Sequence, residues 1–231
     1  MLSSARRTLW LLRTLPPGAS WWLLRRALES PAARRERLVE ALNDASGRLV
    51  FVCHGNIMRS AFCAEVARHE VPEQAARIVS GGTHASLGSG AESTALEVAR
   101  AFDVDLGAHR SSPLDELELN GRDVVVCMDR GNEARVLQFL GRGQRVFLVG
   151  DIDDLPVVHG QQGAVVHGGA GSAANETALA APIDAAGDGD GREVPDPYGK
   201  GPSVTQRAFL RLRSRAALWA RRHFAQSQAQ P

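Results

Sequence analysis

Residues 51–62 read FVCHGNIMRSAF, with Cys53 closing an apolar run, Arg59 six positions later and Ser60 directly after it. Cys53 offers a thiol nucleophile. Arg59 offers a planar fork that matches two oxygens of a phosphate. RLVFV reads as a buried strand and AFCAEVARHE as a helix, so the residues between form a strand-to-helix turn. Backbone N–H groups converge at such a turn, and the helix dipole adds positive potential, so an anion is favoured there. His54, Gly55, Asn56, Ile57 and Met58 fall on this stretch, and Gly55 and Asn56 suit left-handed or otherwise unusual backbone angles. The same field should lower the Cys53 thiol from about 8.5 towards 7 or below. Ser60 can donate a hydrogen bond to the sulfur. The spacing thus places a nucleophile on the floor of a phosphate cradle, with the arginine at its rim. No Gly-Lys-Ser/Thr is present, so this is not a Walker-type nucleotide loop.

A thiolate alone makes a poor phosphoester hydrolase. The leaving oxygen needs a proton, and a thiophosphate intermediate needs an activated water. Asp196 in VPDPYG is the candidate for both tasks, because Pro195 and Pro197 restrict the backbone on either side of it.

The elements that must position these residues are legible further along. RLVFVC, ARIVSGG, DVVVCMD and QRVFLVG are short, apolar and β-branched, as buried parallel strands are. AFCAEVARHE, STALEVARAF and GNEARVLQFL alternate with them at helical spacing, and a final helix is expected from about Ser203 to Phe224. The expectation is an α/β fold: a four-stranded parallel sheet with helices on both faces and the phosphate-binding loop after the first strand. Four zones follow: a Trp/Leu/Arg-rich extension over 1–47, a domain over 48–224, a Gly/Ala-rich insertion within it over 155–192, and a tail over 225–231. Residues 1–48 hold nine Arg against four acidic residues, yet the whole chain has a formal net charge of only +1, which argues against nucleic acid as a partner. Three irregularly spaced cysteines form neither a disulfide framework nor a zinc pattern, so no metal or other cofactor is expected. Neither a membrane span nor a signal peptide is read. The expected location is cytoplasmic, with the extension a candidate for the inner-membrane surface, for a partner, or for docking on its own domain.

VCHGNIMRS together with DPYG resembles the low-molecular-weight protein tyrosine phosphatase family, and EVPDPYGKG is especially similar to bacterial members that accompany capsule and exopolysaccharide tyrosine kinases. GGTHASLGSGAESTALEVARAFDVDLGAHRSSPL and VVVCMDRGNEARV resemble later parts of the same family. The resemblance implies Cys53 as nucleophile, Arg59 as phosphate clamp, Ser60 as thiolate stabiliser and Asp196 as general acid, then base. It also implies Asn56, Ser80 and His109 as residues whose hydrogen bonds hold the loop, and Tyr198 as the aromatic at the pocket mouth. A phosphotyrosine protein is the implied substrate and a tyrosine autokinase the implied counterpart. Departures are Met58, where members carry a second cysteine, Ala61 in place of proline, and no aromatic wall near Ser86 and Leu87.

Rival readings are an arsenate reductase, a phosphoarginine phosphatase and a non-catalytic phosphate-binding module. The first needs two further relay cysteines, and only Cys127 lies near the third strand. The second carries a threonine where this chain has Ile57. Intact Cys53, Arg59 and Asp196 argue against the third. Cys63 and Cys127 read as packing residues, and His54 as a pocket-lining one. His159 and His167 make a weak metal case.

Overall fold

The computed structural model describes residues 17–44, 46–143, 145–156 and 191–225. Trp10, most of the insertion with His159 and His167, and most of the C-terminal tail lie outside the described residues. Four parallel strands, β1 (Leu49–Cys53), β2 (Ile78–Gly82), β3 (Val124–Cys127) and β4 (Val146–Leu148), form one sheet in the order β2-β1-β3-β4. The phosphate-loop strand β1 is therefore interior, flanked on both sides, and its carboxyl end opens at the middle of the sheet edge.

Alternation along the strands sorts the side chains into two cores. Leu49, Phe51, Val124, Val126 and Phe147 point to one face. There they meet α2 (Pro31–Asn43), α3 (Arg59–Glu70), α4 (Ser93–Arg100) and α6 (Pro202–Phe224). Val50, Val52, Val125, Cys127, Val146 and Leu148 point to the other, where Val136 and Leu137 of α5 (Arg130–Leu140) cover them. Strands buried on both faces need continuous apolar runs, which is why RLVFVC and DVVVCMD read so plainly.

Two helices of the extension join these layers. In α2, Leu38, Ala41 and Leu42 fall on one face at helical spacing and are buried in the first core. Ser30 caps this helix by accepting the Ala33 N–H at 3.2 Å, and Pro31 stands at its first turn. Leu38 is completely buried, and Leu38→Ala should cost about 2–5 kcal/mol. Helix α1 (Pro17–Leu28) packs on α5, with Trp22 against the second core and Arg26 Nη1 2.7 Å from Glu133 Oε1. The described part of the extension thus docks on its own domain, while Trp21, Leu24 and Leu28 remain exposed. Among the described residues no helix is long and apolar enough to cross a membrane.

Helix α6 is tied to both borders of the segment that contains most of the insertion. Arg222 Nη2 donates to the Pro156 carbonyl, and Arg215 Nη2 donates to the Gly191 carbonyl at 2.9 Å.

Candidate active site

The turn from β1 into α3 holds its shape through its carbonyls. Cys53 O accepts from Thr83 N–H, His54 O from His84 N–H, Ile57 O from Glu92 N–H and Met58 O from Phe62 N–H. The Asn56 carbonyl accepts from His109 Nε2 at 2.6 Å. A carbonyl can only accept, so Nε2 carries the His109 proton. Burial pushes the His109 pKa below the usual histidine range, despite that bond. With the carbonyls engaged by surrounding elements, the Asn56 N–H reaches Cys53 Sγ at 3.2 Å.

Asn56 is the hub. It alone on this loop takes a left-handed angle, φ 52°, and it is fully buried. Its Nδ2 donates to Ser60 Oγ and to Ser80 Oγ, each at 2.9 Å, and its Oδ1 accepts the Ser112 N–H at 2.9 Å. Gly55, for which a special backbone angle was also expected, has no positive φ. The left-handed turn falls on Asn56 because its side chain has three partners to hold it there. Glycine matters instead at Gly82, where a Cβ would stand 2.7 Å from His54 O and 2.9 Å from Asn56 N. The close approach of β2 to the loop thus leaves no room for a side chain at that position.

Cys53 is buried, with Ser60 Oγ 3.0 Å from its sulfur. Two donors therefore face Sγ, the arrangement a thiolate accepts. Arg59 is 1% exposed. Its Nη1 donates to Asp129 Oδ2 at 2.7 Å and to the Val194 carbonyl at 2.9 Å, and its Nη2 lies 2.9 Å from Asp196 Oδ2. Its buried Nε has no hydrogen-bond partner. Burial works against the guanidinium charge, but Cys53, Asp196 and Asp129 more than offset it and hold the pKa above its ordinary range. A buried cation with a donor to spare beside a sulfur nucleophile is suited to a multiply charged anion.

The structure brings Cys53, Asn56, Arg59, Ser60, Ser80, His109 and Asp196 together. The Asp196 side chain is 42% exposed, and its Oδ1 accepts the Tyr198 N–H at 3.3 Å. Tyr198 itself is exposed, at the outer end of this loop. Ile57 packs partly buried against the first core, and Met58 lies within it, so their side chains anchor the loop from behind. Exposed His54 stacks on exposed His84 with ring centroids 4.3 Å apart. Burial, then His54 and Arg135, lower the His84 pKa. Cys63 is fully buried on α3, and burial first, then Cys53, drive its thiol well up. Cys127 is likewise buried and pushed up by burial, then Glu133. All three cysteines are free thiols. Among the described residues no group of His, Cys, Asp and Glu is arranged to hold a metal ion.

Sequence reasoning gave no role to Asp129 or to the Val194 carbonyl. Asp129, two residues past the end of β3 in VVVCMD, caps α5 through Oδ1, which accepts the Asn132 N–H at 2.8 Å, while Oδ2 holds Arg59. The signal for it was an acidic residue directly after an apolar run and one position before a helix. The His54–His84 stack had no sequence signal, because residues 30 positions apart meet only through the β1–β2 pairing.

Residues 48–155 match the family described as low molecular weight phosphotyrosine protein phosphatase. No curated protein sequence matches the chain. Among solved structures, the Erwinia amylovora tyrosine phosphatase AmsI superposes with a TM-score of 0.53 at 22% identity, covering 75% of this chain and 90% of its own. Vibrio vulnificus Wzb, in complex with benzylphosphonate, gives a TM-score of 0.53 at 22% identity over 76% and 97% of the two chains. The YwlE arginine phosphatase of Geobacillus stearothermophilus gives a TM-score of 0.54 at 20% identity over 80% and 97%. At these identities the likeness is one of fold.

Proposed function

From the premise that this chain belongs, through residues 48–155, to the low molecular weight phosphotyrosine protein phosphatase family, we propose that it hydrolyses phosphotyrosine in proteins through a cysteinyl-phosphate intermediate. The observation that carries the reading is the cradle: Cys53 Sγ faced by two donors, beside a buried Arg59 whose Nε has no partner.

In this reading the substrate phosphate sits over Sγ, held by the loop N–H groups of residues 54–60 and by Arg59. Its oxygens compete with Asp196 for the guanidinium, which releases the carboxyl from its 2.9 Å contact with Nη2. The Cys53 thiolate then attacks phosphorus. As the S–P bond forms, the P–O bond to the ring breaks, and Asp196, which has taken up a proton from solvent on leaving the guanidinium, gives it to the tyrosine oxygen. Water next attacks the cysteinyl phosphate. Asp196 takes the water proton, the S–P bond breaks, and inorganic phosphate leaves with the thiolate restored. Fixed donors stabilise the charge that develops on the transferring group, so no further electrophile is required of the site. Asn56, Ser80 and His109 keep the loop in this shape, and Tyr198 offers a ring beside the general acid. Following the EVPDPYGKG motif, we assign the physiological substrate to a bacterial tyrosine autokinase of the exopolysaccharide type, and the working place to the cytoplasm.

Ile57 brings no hydroxyl into the cradle, which favours phosphotyrosine over phosphoarginine. Cys63 and Cys127, both fully buried with raised thiol pKa values, are poorly placed to serve an arsenate reductase relay. The test is purified protein with p-nitrophenyl phosphate beside phosphotyrosine and phosphoarginine peptides. Turnover of the first two is expected. Faster turnover of phosphoarginine would overturn the tyrosine assignment, and no turnover of any would leave a binding module.

A further inference from the structure

Asp196 lies two residues beyond Val194, on a segment braced by residues that follow the carboxyl ends of β3 and β4. The Gly150 N–H donates to the Arg192 carbonyl at 3.0 Å, and the Val194 N–H donates to the Met128 carbonyl at 2.8 Å. Between them, Glu193 accepts the Arg130 backbone N–H through Oε2 at 2.9 Å, and its Oε1 lies 3.4 Å from Arg130 Nε. Arg130 has a second acidic neighbour, Glu133, at 3.6 Å. Glu133 is wholly buried, and Arg26 of α1 holds it at 2.7 Å.

The order of these distances matters. A buried carboxylate without a close cation is unfavourable and recruits one from nearby. Arg26 fills that need, which leaves the Arg130 side chain to reach Glu193. Without Arg26, the Glu133 charge would draw Arg130 inward and loosen its grip on Glu193. We infer that Arg26, in the first helix of the extension, is a positioning residue for the general acid, acting through Glu133, Arg130 and Glu193 on Asp196. The inference rests on the assignment of Asp196 made above. It gives the extension a part in the reaction although no described residue of α1 touches the cradle.

The test uses the full chain with aryl phosphates of graded leaving-group pKa. A displaced general acid harms poor leaving groups most, because they need the proton most. Arg26→Met should lower kcat about tenfold for the least acidic phenols and less than about twofold for the most acidic, with KM little changed. Adding Glu133→Leu to Arg26→Met removes the inward pull and should restore the wild-type slope. In an Asp196→Asn background, Arg26→Met should add nothing. A wild-type slope in folded Arg26→Met overturns the inference, as does a loss equal across leaving groups or a full additional loss on top of Asp196→Asn. Should Arg26→Met fail to fold, Glu193→Ala at the accessible end of the chain of contacts decides. It should steepen the slope in the same way, and an unchanged slope refutes the role. If Asp196→Asn itself shows no leaving-group dependence, the assignment of Asp196 falls and this inference falls with it. A normal Asp196→Asn response beside an unaffected Arg26→Met refutes the inference alone.

Discussion

Two strand-to-helix turns stand side by side at the carboxyl edge of the sheet, and they treat their helix N-termini differently. The turn after β3 closes itself: Asp129 adopts an extended conformation, and its side chain accepts the Asn132 N–H of α5. The turn after β1 leaves α3 without a side-chain cap, since Met58 at the equivalent position makes no capping hydrogen bond with its side chain. A helix start has orphan donors that a cap, water or a ligand must satisfy. The first turn keeps that capacity for an anion and the second spends it on the protein's own carboxylate, whose other oxygen steadies Arg59. The pair shows how one local geometry serves as binding site or as support according to a single side chain.

The most drastic way to break the first turn's role is Cys53→Ser. Turnover should vanish while vanadate or phosphate still binds, because the cradle is mostly backbone; measurable steady-state hydrolysis by the variant would sink the covalent route. Asp196→Asn should cost about 10²–10⁴-fold on phenyl phosphates, with less loss for acidic leaving groups. The second turn is separated into its two tasks by Asp129. Asp129→Asn keeps an oxygen for the cap but withdraws the charge from Arg59, so kcat/KM should fall about tenfold with the melting temperature nearly unchanged. Asp129→Ala loses the cap as well and should also lower stability by about 1 kcal/mol, read from denaturant midpoints. Equal melting temperatures for the two variants would deny the cap its part.

Smaller effects sharpen the contrast. Met58 leaves the first turn without a neighbouring thiol, so peroxide should carry Cys53 past the sulfenic acid. Met58→Cys should raise the fraction of activity that dithiothreitol recovers after a peroxide pulse. Full recovery of the wild type, with a mapped Cys53–Cys63 disulfide, would contradict the packing role given to Cys63. The mildest effect concerns pH. Burial lowers the His109 pKa in the folded chain, and lowers that of His223 to about 4. The stability gained by keeping these rings neutral is complete above their unfolded value of about 6.5 and is lost as pH falls through their folded values. Asp151 opposes them: burial raises its pKa to about 6, so the cost of its charge is relieved as pH falls through that value. His109→Gln should therefore flatten the decline of melting temperature as pH falls below about 6.5, and an unchanged slope would remove His109 from the acid response.

The strands were legible because burial on both faces leaves apolar runs such as LVFVC and VVVC, and Cys53 and Arg59 because their spacing has few other uses. Asp129 was hidden because one carboxylate can cap a helix or hold a distant arginine, and only the β1–β3 pairing brings Arg59 within reach. Docking of the extension on its own domain was among the expectations, but the residues that make the tie were hidden for a similar reason: Arg26 and Arg34 spend their charge on Glu133 and Asp154. Nothing in the local pattern of α1 distinguishes an arginine facing a buried glutamate from one facing water.

The two contacts from α6 to Pro156 and Gly191 have a consequence for chain length. Arg215 and Arg222 are seven residues apart on one helix, about 10 Å along its axis, so the borders of the intervening segment are pinned near each other by a rigid ruler. The entropy of closing a loop between fixed ends grows only with the logarithm of its length, about 0.6 kcal/mol for each doubling. Length at this position is therefore close to a free variable for the fold. The number of residues between Pro156 and Gly191 can therefore change at little cost to the β-sheet, because its two borders are held by contacts that do not depend on that number.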